Sequence, residues 1–170
     1  MFFKPDMYKK TVFDIDYDKL KKMNIKYLFF DLDNTIIKYT EKVPSDKIIK
    51  LFKELDKKGF ECILFSNSRS KRVQRVRNIL DTGIYYNSMK PLKKNYIKVL
   101  KKYDKQECAF VGDQLMTDVL GAKRNDLFVI LVDRIDPKEP FGTKIWRFFE
   151  RRILKKYKKM NIFEKGKYYG

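Results

Sequence analysis

The chain has 170 residues, 44% of them hydrophobic and 15% aromatic, which is the size and composition of one ordinary globular domain with enough apolar material for a core. It contains no histidine, which excludes Ser-His-Asp and Cys-His mechanisms, histidine general bases and histidine metal ligands. Carboxylates, lysines and hydroxyls are left to do any chemistry, and a formal charge of +18 points to an anionic partner such as a phosphate ester, nucleic acid or an acidic membrane face.

Residues 1–25 read as a lead-in segment. Lys4, Asp6, Lys9 and Lys10 break up its apolar residues, so it lacks the unbroken core of a signal peptide. No run elsewhere approaches the ~20 residues of a membrane span, and the expected location is cytoplasmic. Buried strands are expected at "KYLFF" (26–30), "FECILF" (60–65), "ECAFV" (107–111) and "LFVILV" (127–132), with "GIYY" (83–86) as a weaker fifth. The runs are continuous rather than alternating, which implies burial on both faces and hence a parallel sheet covered by helices. Cys62 and Cys108 fall inside these strands and read as small hydrophobes of a reducing compartment. Helical spacing links Ile48, Ile49, Phe52 and Leu55 between a Ser45 cap and Gly59. It also links Val73, Val76 and Leu80 after Ser70, and Leu92, Tyr96, Val99 and Leu100 after Pro91, with a short helix near 117–124. The alternation predicts a doubly wound, Rossmann-like α/β core over residues 26–142 with a five-stranded parallel sheet.

"DRIDPKEPFGT" (133–143) is the one linker-like passage, and residues 143–170 form a basic amphipathic helix and tail. Residues 144–170 hold ten basic and two acidic side chains. Trp146, Phe149, Ile153, Tyr157 and Met160 share one helical face, and Arg147, Arg151, Lys155 and Lys158 share another. That pattern suits an anionic membrane surface, with contact through residues 143–160 and a peripheral place on the inner membrane face; the alternative is an apolar stripe packed on the domain.

In an open parallel sheet the ligand site lies beyond the carboxyl ends of the strands. Those ends carry Asp31 and Asp33, then Ser66 and Asn67, and then Gly112 and Asp113, with Lys90 a few residues after the weak strand. Three carboxylates, an ammonium and a hydroxyl are the parts for phosphoryl transfer with Mg²⁺, a hard ion that takes oxygen ligands. In that chemistry Asp31 attacks phosphorus, and Asp33 protonates the leaving alkoxide and then takes a proton from water. Ser66, with its neighbour Asn67, and Lys90 hold the phosphoryl oxygens. Asp31, Asp113 and a backbone carbonyl near Asp33 bind the metal, and Gly112 lets the backbone approach it. Asn34 and Thr35 shape the turn.

"DLDNT" (31–35), "SNS" (66–68), "KP" (90–91) and "GDQLMTD" (112–118) resemble, in order and spacing, the four motifs of the haloacid dehalogenase superfamily of aspartate-nucleophile phosphatases. The chain most resembles its subfamily IIIA group of small YqeG-type phosphatases, relatives of the phosphatidylglycerophosphate phosphatases, and the likeness extends over roughly residues 4–158. The resemblance implies the fold of that superfamily, a magnesium ion, and phosphatidylglycerophosphate as the favoured substrate. It also implies that Asp118 supports the metal through water or orients the lysine. About thirty residues separate Asp33 from Ser66 and about two dozen separate Ser66 from Lys90, which leaves no room for the cap domain that many such enzymes carry. An uncapped site fits a bulky substrate. The rival expectations are a nucleic acid end phosphatase and a non-catalytic RNA- or ribosome-binding protein, both drawn by charge.

Overall fold

The continuous apolar runs become the middle of a parallel sheet in a computed structural model that describes residues 2–68, 71–139 and 141–170. The strands are β1 (Met7–Lys9), β2 (Tyr27–Phe30), β3 (Glu61–Ser66), β4 (Gly83–Tyr86), β5 (Cys108–Gly112) and β6 (Phe128–Val132). The helices are α1 (Tyr17–Lys22), α2 (Asp46–Lys57), α3 (Lys71–Leu80), α4 (Lys93–Leu100), α5 (Leu120–Lys123) and α6 (Phe141–Lys159), with a π-helical turn at Leu115–Val119 leading into α5. Every strand pair is parallel, in the order β1-β6-β5-β2-β3-β4. The expected five-stranded sheet is therefore corrected to six. The added strand comes from the lead-in, where "MYK" is too short, and too closely followed by lysine, to show a strand period. An antiparallel bridge from Tyr8 to Tyr169 covers its outer edge with the chain's last residues.

Side chains alternate across the sheet as strand geometry requires. Leu28, Phe30, Leu64, Val111 and Ile130 face one way, onto Leu20 of α1, Ile48, Phe52 and Leu55 of α2, and Val73 and Val76 of α3. Phe29, Ile63, Phe65, Phe110 and Val129 face the other, onto Tyr96 and Val99 of α4, Ala122 of α5 and Tyr157 of α6. Local signals act where they were read: the Ser45 hydroxyl accepts a hydrogen bond from the Ile48 N–H at 3.4 Å, and Gly59, past the end of α2, has φ +81°. The Ser70 cap expected for α3 lies outside the described residues.

The register fixes the site. Phe30 pairs with Leu64 on one side and Val111 on the other, so β2 ends one residue before β5 and two before β3, and β2 sits where the chain order reverses direction across the sheet. Among the described residues, the intervals between the motifs hold α2 with β3, and α3 with β4, and no cap domain. Among the described residues, no helix is long and apolar enough to cross a membrane.

Candidate active site

Asp31 leaves β2 one residue past its last pair, held by its N–H to the Val111 carbonyl at 2.8 Å. Ser66 ends β3, and Asp113 follows Gly112 at the end of β5. The π-helical turn then brings Asp118 back toward the same point, and Lys90 reaches in from beyond β4. All five side chains are buried. Asp31, Ser66 and Lys90 line an open cleft of about 400 Å³ whose walls include Asp33, Tyr39, Asn67 and Trp146, and Asp113 and Asp118 stand beside Asp31 and Lys90.

The Lys90 ammonium sits between two acids, 2.5 Å from Asp31 Oδ1 and 2.7 Å from Asp118 Oδ1. Asp118 Oδ2 accepts from the Gln114 N–H at 3.0 Å. The Thr35 hydroxyl stands between Asp31 Oδ2 at 3.3 Å and Asp113 Oδ1 at 3.4 Å. The other oxygen of Asp113 pairs with Arg147 of α6, which also donates to the Asp113 carbonyl at 3.0 Å. Burial pushes the Asp31 carboxyl up to about 7; Lys90 pulls it down, and Asp118 and Asp33 add to the rise. Burial likewise raises Asp113 well above the usual carboxylate range, with Arg147 opposing and Asp118 and Asp31 adding. For Lys90, burial works to lower the value, but Asp118 and Asp31 outweigh it and hold the ammonium above its ordinary range.

Carboxyl oxygens of Asp31, Asp113 and Asp118 come within 4.8 Å of one another. Lys90 engages one oxygen each of Asp31 and Asp118, Arg147 engages one of Asp113, and the oxygens left facing each other, Asp31 Oδ2 and Asp113 Oδ1, share only the long contacts to a neutral hydroxyl. Burial makes the ionised form of both acids costly, and a cation between them would offset that cost. An all-oxygen donor set with residual negative charge fits a hard divalent cation. The carboxylate of Asp33 is outside this cluster. It pairs with Arg72 of α3, which also donates to the Glu41 carbonyl at 3.1 Å, whereas Asp118 joins the acidic group.

Two further residues shape the frame around these groups. The Asn67 amide oxygen accepts from the Ser88 hydroxyl at 2.7 Å and from the Lys90 N–H at 2.8 Å, so the residue secures the Lys90 segment. Gly112 leaves room for the Asp118 carboxyl, since a Cβ there would lie 2.5 Å from it. Sequence reading passed over Arg72, Glu139 and Glu150, and placed Arg147 only on the basic face of the C-terminal helix. Arg147 joins Glu139 at 2.6 Å and Glu150 at 2.9 Å, and Glu150 accepts from the N–H groups of Leu115 and Met116. The linker-like passage is thus a wall of the site: Glu139 binds Arg147, the Lys138 carbonyl accepts from the Asn34 amide at 3.0 Å, and the Ile135 N–H bonds the Asn34 carbonyl at 3.0 Å. The basic face predicted for α6 loses Arg147 to the interior.

A parallel Rossmann-like sheet with these acids and a lysine at its carboxyl ends defines an α/β hydrolase of the phosphate-handling kind, and the comparisons agree. The model of the haloacid dehalogenase-like hydrolases matches residues 36–126. "Probable phosphatase YqeG" of Bacillus subtilis is 34% identical over 160 residues, which is 93% of each chain. Among solved structures, an uncharacterized protein from Listeria monocytogenes has a TM-score of 0.54 at 20% identity, over 68% of this chain and 85% of that one. The magnesium-bound HAD-hydrolase YfnB from Bacillus subtilis has a TM-score of 0.51 at 13% identity, over 68% of this chain and 90% of that one. The chain belongs to the haloacid dehalogenase-like hydrolase family, and within it the chain is a phosphatase.

Proposed function

We propose that the chain is a magnesium-dependent phosphomonoesterase that works through an aspartyl phosphate on Asp31. The observation that carries this reading is the grouping of Asp31, Asp113 and Asp118 around Lys90 at the carboxyl ends of β2 and β5. Asp31 and Asp113, with Asp118 beside them and the backbone carbonyl of Asp33, would hold Mg²⁺, which would supply charge neutralisation for a dianionic monoester. Asp31 attacks phosphorus as the ester bond to the alkoxide breaks, and Asp33 gives that alkoxide its proton. Asp33 then takes a proton from the water that cleaves the acyl phosphate and releases inorganic phosphate. Lys90 keeps Asp31 ionised and, with Ser66, holds the phosphoryl oxygens, while Thr35 aligns the facing oxygens of Asp31 and Asp113. Asn67 and Gly112 act by placing Lys90 and Asp118.

The open cleft supports a bulky substrate. With no cap between the motifs, the leaving group extends into solvent past Tyr39 and Trp146, which accommodates a bulky alcohol and favours a phosphorylated phospholipid such as phosphatidylglycerophosphate. The test is phosphate release with and without Mg²⁺ from p-nitrophenyl phosphate and from phosphatidylglycerophosphate in vesicles. Release is expected from both, with the lipid preferred, and Asp31→Asn is expected to reduce it by a factor on the order of 10³ or more. Undiminished turnover by that variant would overturn the mechanism, and turnover of the soluble ester alone would overturn the substrate.

A further inference from the structure

Helix α6 presents two faces with different occupations. Its inner face is docked: Glu150 and Tyr157 are buried, Ile153 and Leu154 pack against the sheet, and Arg147 is paired to Asp113. At ~100° per residue the opposite face carries Ile145, Phe148 and Phe149 on the first turns and Arg152, Lys155, Lys156 and Lys159 on the later ones. Ile145 is 55% exposed, Phe148 44% and Phe149 45%, and the four basic residues are exposed as well. The two phenylalanine rings meet edge-on at 5.7 Å, and the Arg152 guanidinium lies 4.6 Å over the Phe148 ring, so apolar and cationic halves form one continuous surface. The apolar half adjoins the cleft, because Gly142, Thr143 and Trp146 at the start of the same helix line its mouth. The expected membrane stripe is corrected here: Ile153 and Tyr157 face the sheet, and the outward apolar group is Ile145, Phe148 and Phe149.

We propose that this outward face docks on an anionic lipid bilayer. Ile145, Phe148 and Phe149 enter the boundary between headgroups and acyl chains, and Arg152, Lys155, Lys156 and Lys159 lie along the lipid phosphates. Aromatic residues beside a row of cations match an interface that is apolar below and negative above. A second copy of the chain at this face is opposed by charge, since it adds its own exposed cations to a surface that already carries four. A nucleic acid duplex would satisfy the cations and leave the phenylalanines in water. The proposal rests on the phospholipid reading of the site for its purpose, since docking this way sets the cleft mouth at headgroup level.

The test uses the full chain, because α6 carries Arg147 and its removal would dismantle the site. Co-sedimentation is measured with phosphatidylcholine vesicles with and without phosphatidylglycerol, for the parent chain, for the double variant Phe148→Ser with Phe149→Ser, and for the double variant Arg152→Glu with Lys156→Glu. The parent is expected to sediment with the anionic vesicles. Each double variant is expected to partition roughly tenfold or more weakly while its hydrolysis of p-nitrophenyl phosphate is unchanged, which shows a folded site. Equal partitioning by the parent into neutral and anionic vesicles, or undiminished binding by either variant, would overturn the proposal. Failure of the phosphatase reading would show separately, as absence of turnover by a parent chain that still sediments.

Discussion

Asp118 illustrates how a single side chain is built into the site from several directions. Its carboxyl is held by Lys90 and by the Gln114 N–H, and the space it occupies exists because residue 112 has no Cβ. Gly112→Ala is therefore expected to cost about 1–3 kcal/mol from overpacking and to lower Mg²⁺-dependent kcat about tenfold, measured by thermal denaturation and phosphate release; a fully active variant would detach Asp118 from the reaction. A second expectation follows from Asp31, whose carboxyl is pushed up to about 7 by burial, with Lys90 opposing. The folded value exceeds the unfolded one, so protonation of Asp31 stabilises the metal-free fold at low pH, and that contribution is lost as pH rises through about 7. A divalent cation replaces the proton. The rise in Tm on adding Mg²⁺ is thus expected to be larger at about pH 8 than at about pH 6, and equal rises would contradict the assignment. Asp31, Ser66 and Asp113 were legible in the sequence because each stands where an apolar run ends. Arg72 and Arg147 were not, because their partners are 39 and 34 positions away and only the fold brings them together.

At the scale of elements, helical periodicity could place α6 but could not say which face would dock. A wheel sorts residues by polarity, whereas the docked face here includes Arg147 and Glu150, two ions buried because each finds partners on the loops that carry Asp113 and the π-helical turn. Strand β1 was illegible for a different reason: three residues at a sheet edge carry too few side chains to show a period, and its pairing with β6 depends on residues more than a hundred positions away. The α6 network yields a measurable consequence. Arg147→Met leaves Asp113 and Glu139 without their guanidinium, and removing one partner of a buried pair costs about 3–5 kcal/mol. In metal-free protein Tm is expected to fall accordingly. Mg²⁺ then restores more stability to the variant than it adds to the parent, because the cation offsets charge that Arg147 offset before. Equal increments in calorimetry would separate Arg147 from the metal site.

For the whole molecule, charge acts in two ways that respond differently to salt. Forty basic residues against 22 acidic ones leave a surplus on the surface, and that surplus works against the compact state by self-repulsion. Exposed pairs such as Lys58 with Asp18 offset little of it, whereas the pairs of Lys90 with Asp31 and Asp118 are shielded from solvent ions. Raising ionic strength from about 0.01 M to about 0.3 M shortens the screening length from roughly 30 Å to roughly 6 Å, which weakens repulsion between surface charges farther apart than that. Stability is therefore expected to increase with sodium chloride, seen as a rising Tm at constant pH, while the turnover of p-nitrophenyl phosphate at saturating Mg²⁺ stays nearly constant because the buried ions are not screened. A Tm that falls with salt would mean that attractive surface pairs outweigh the surplus. A kcat that collapses with salt would mean that the Lys90 pairs are open to solvent, which their burial contradicts.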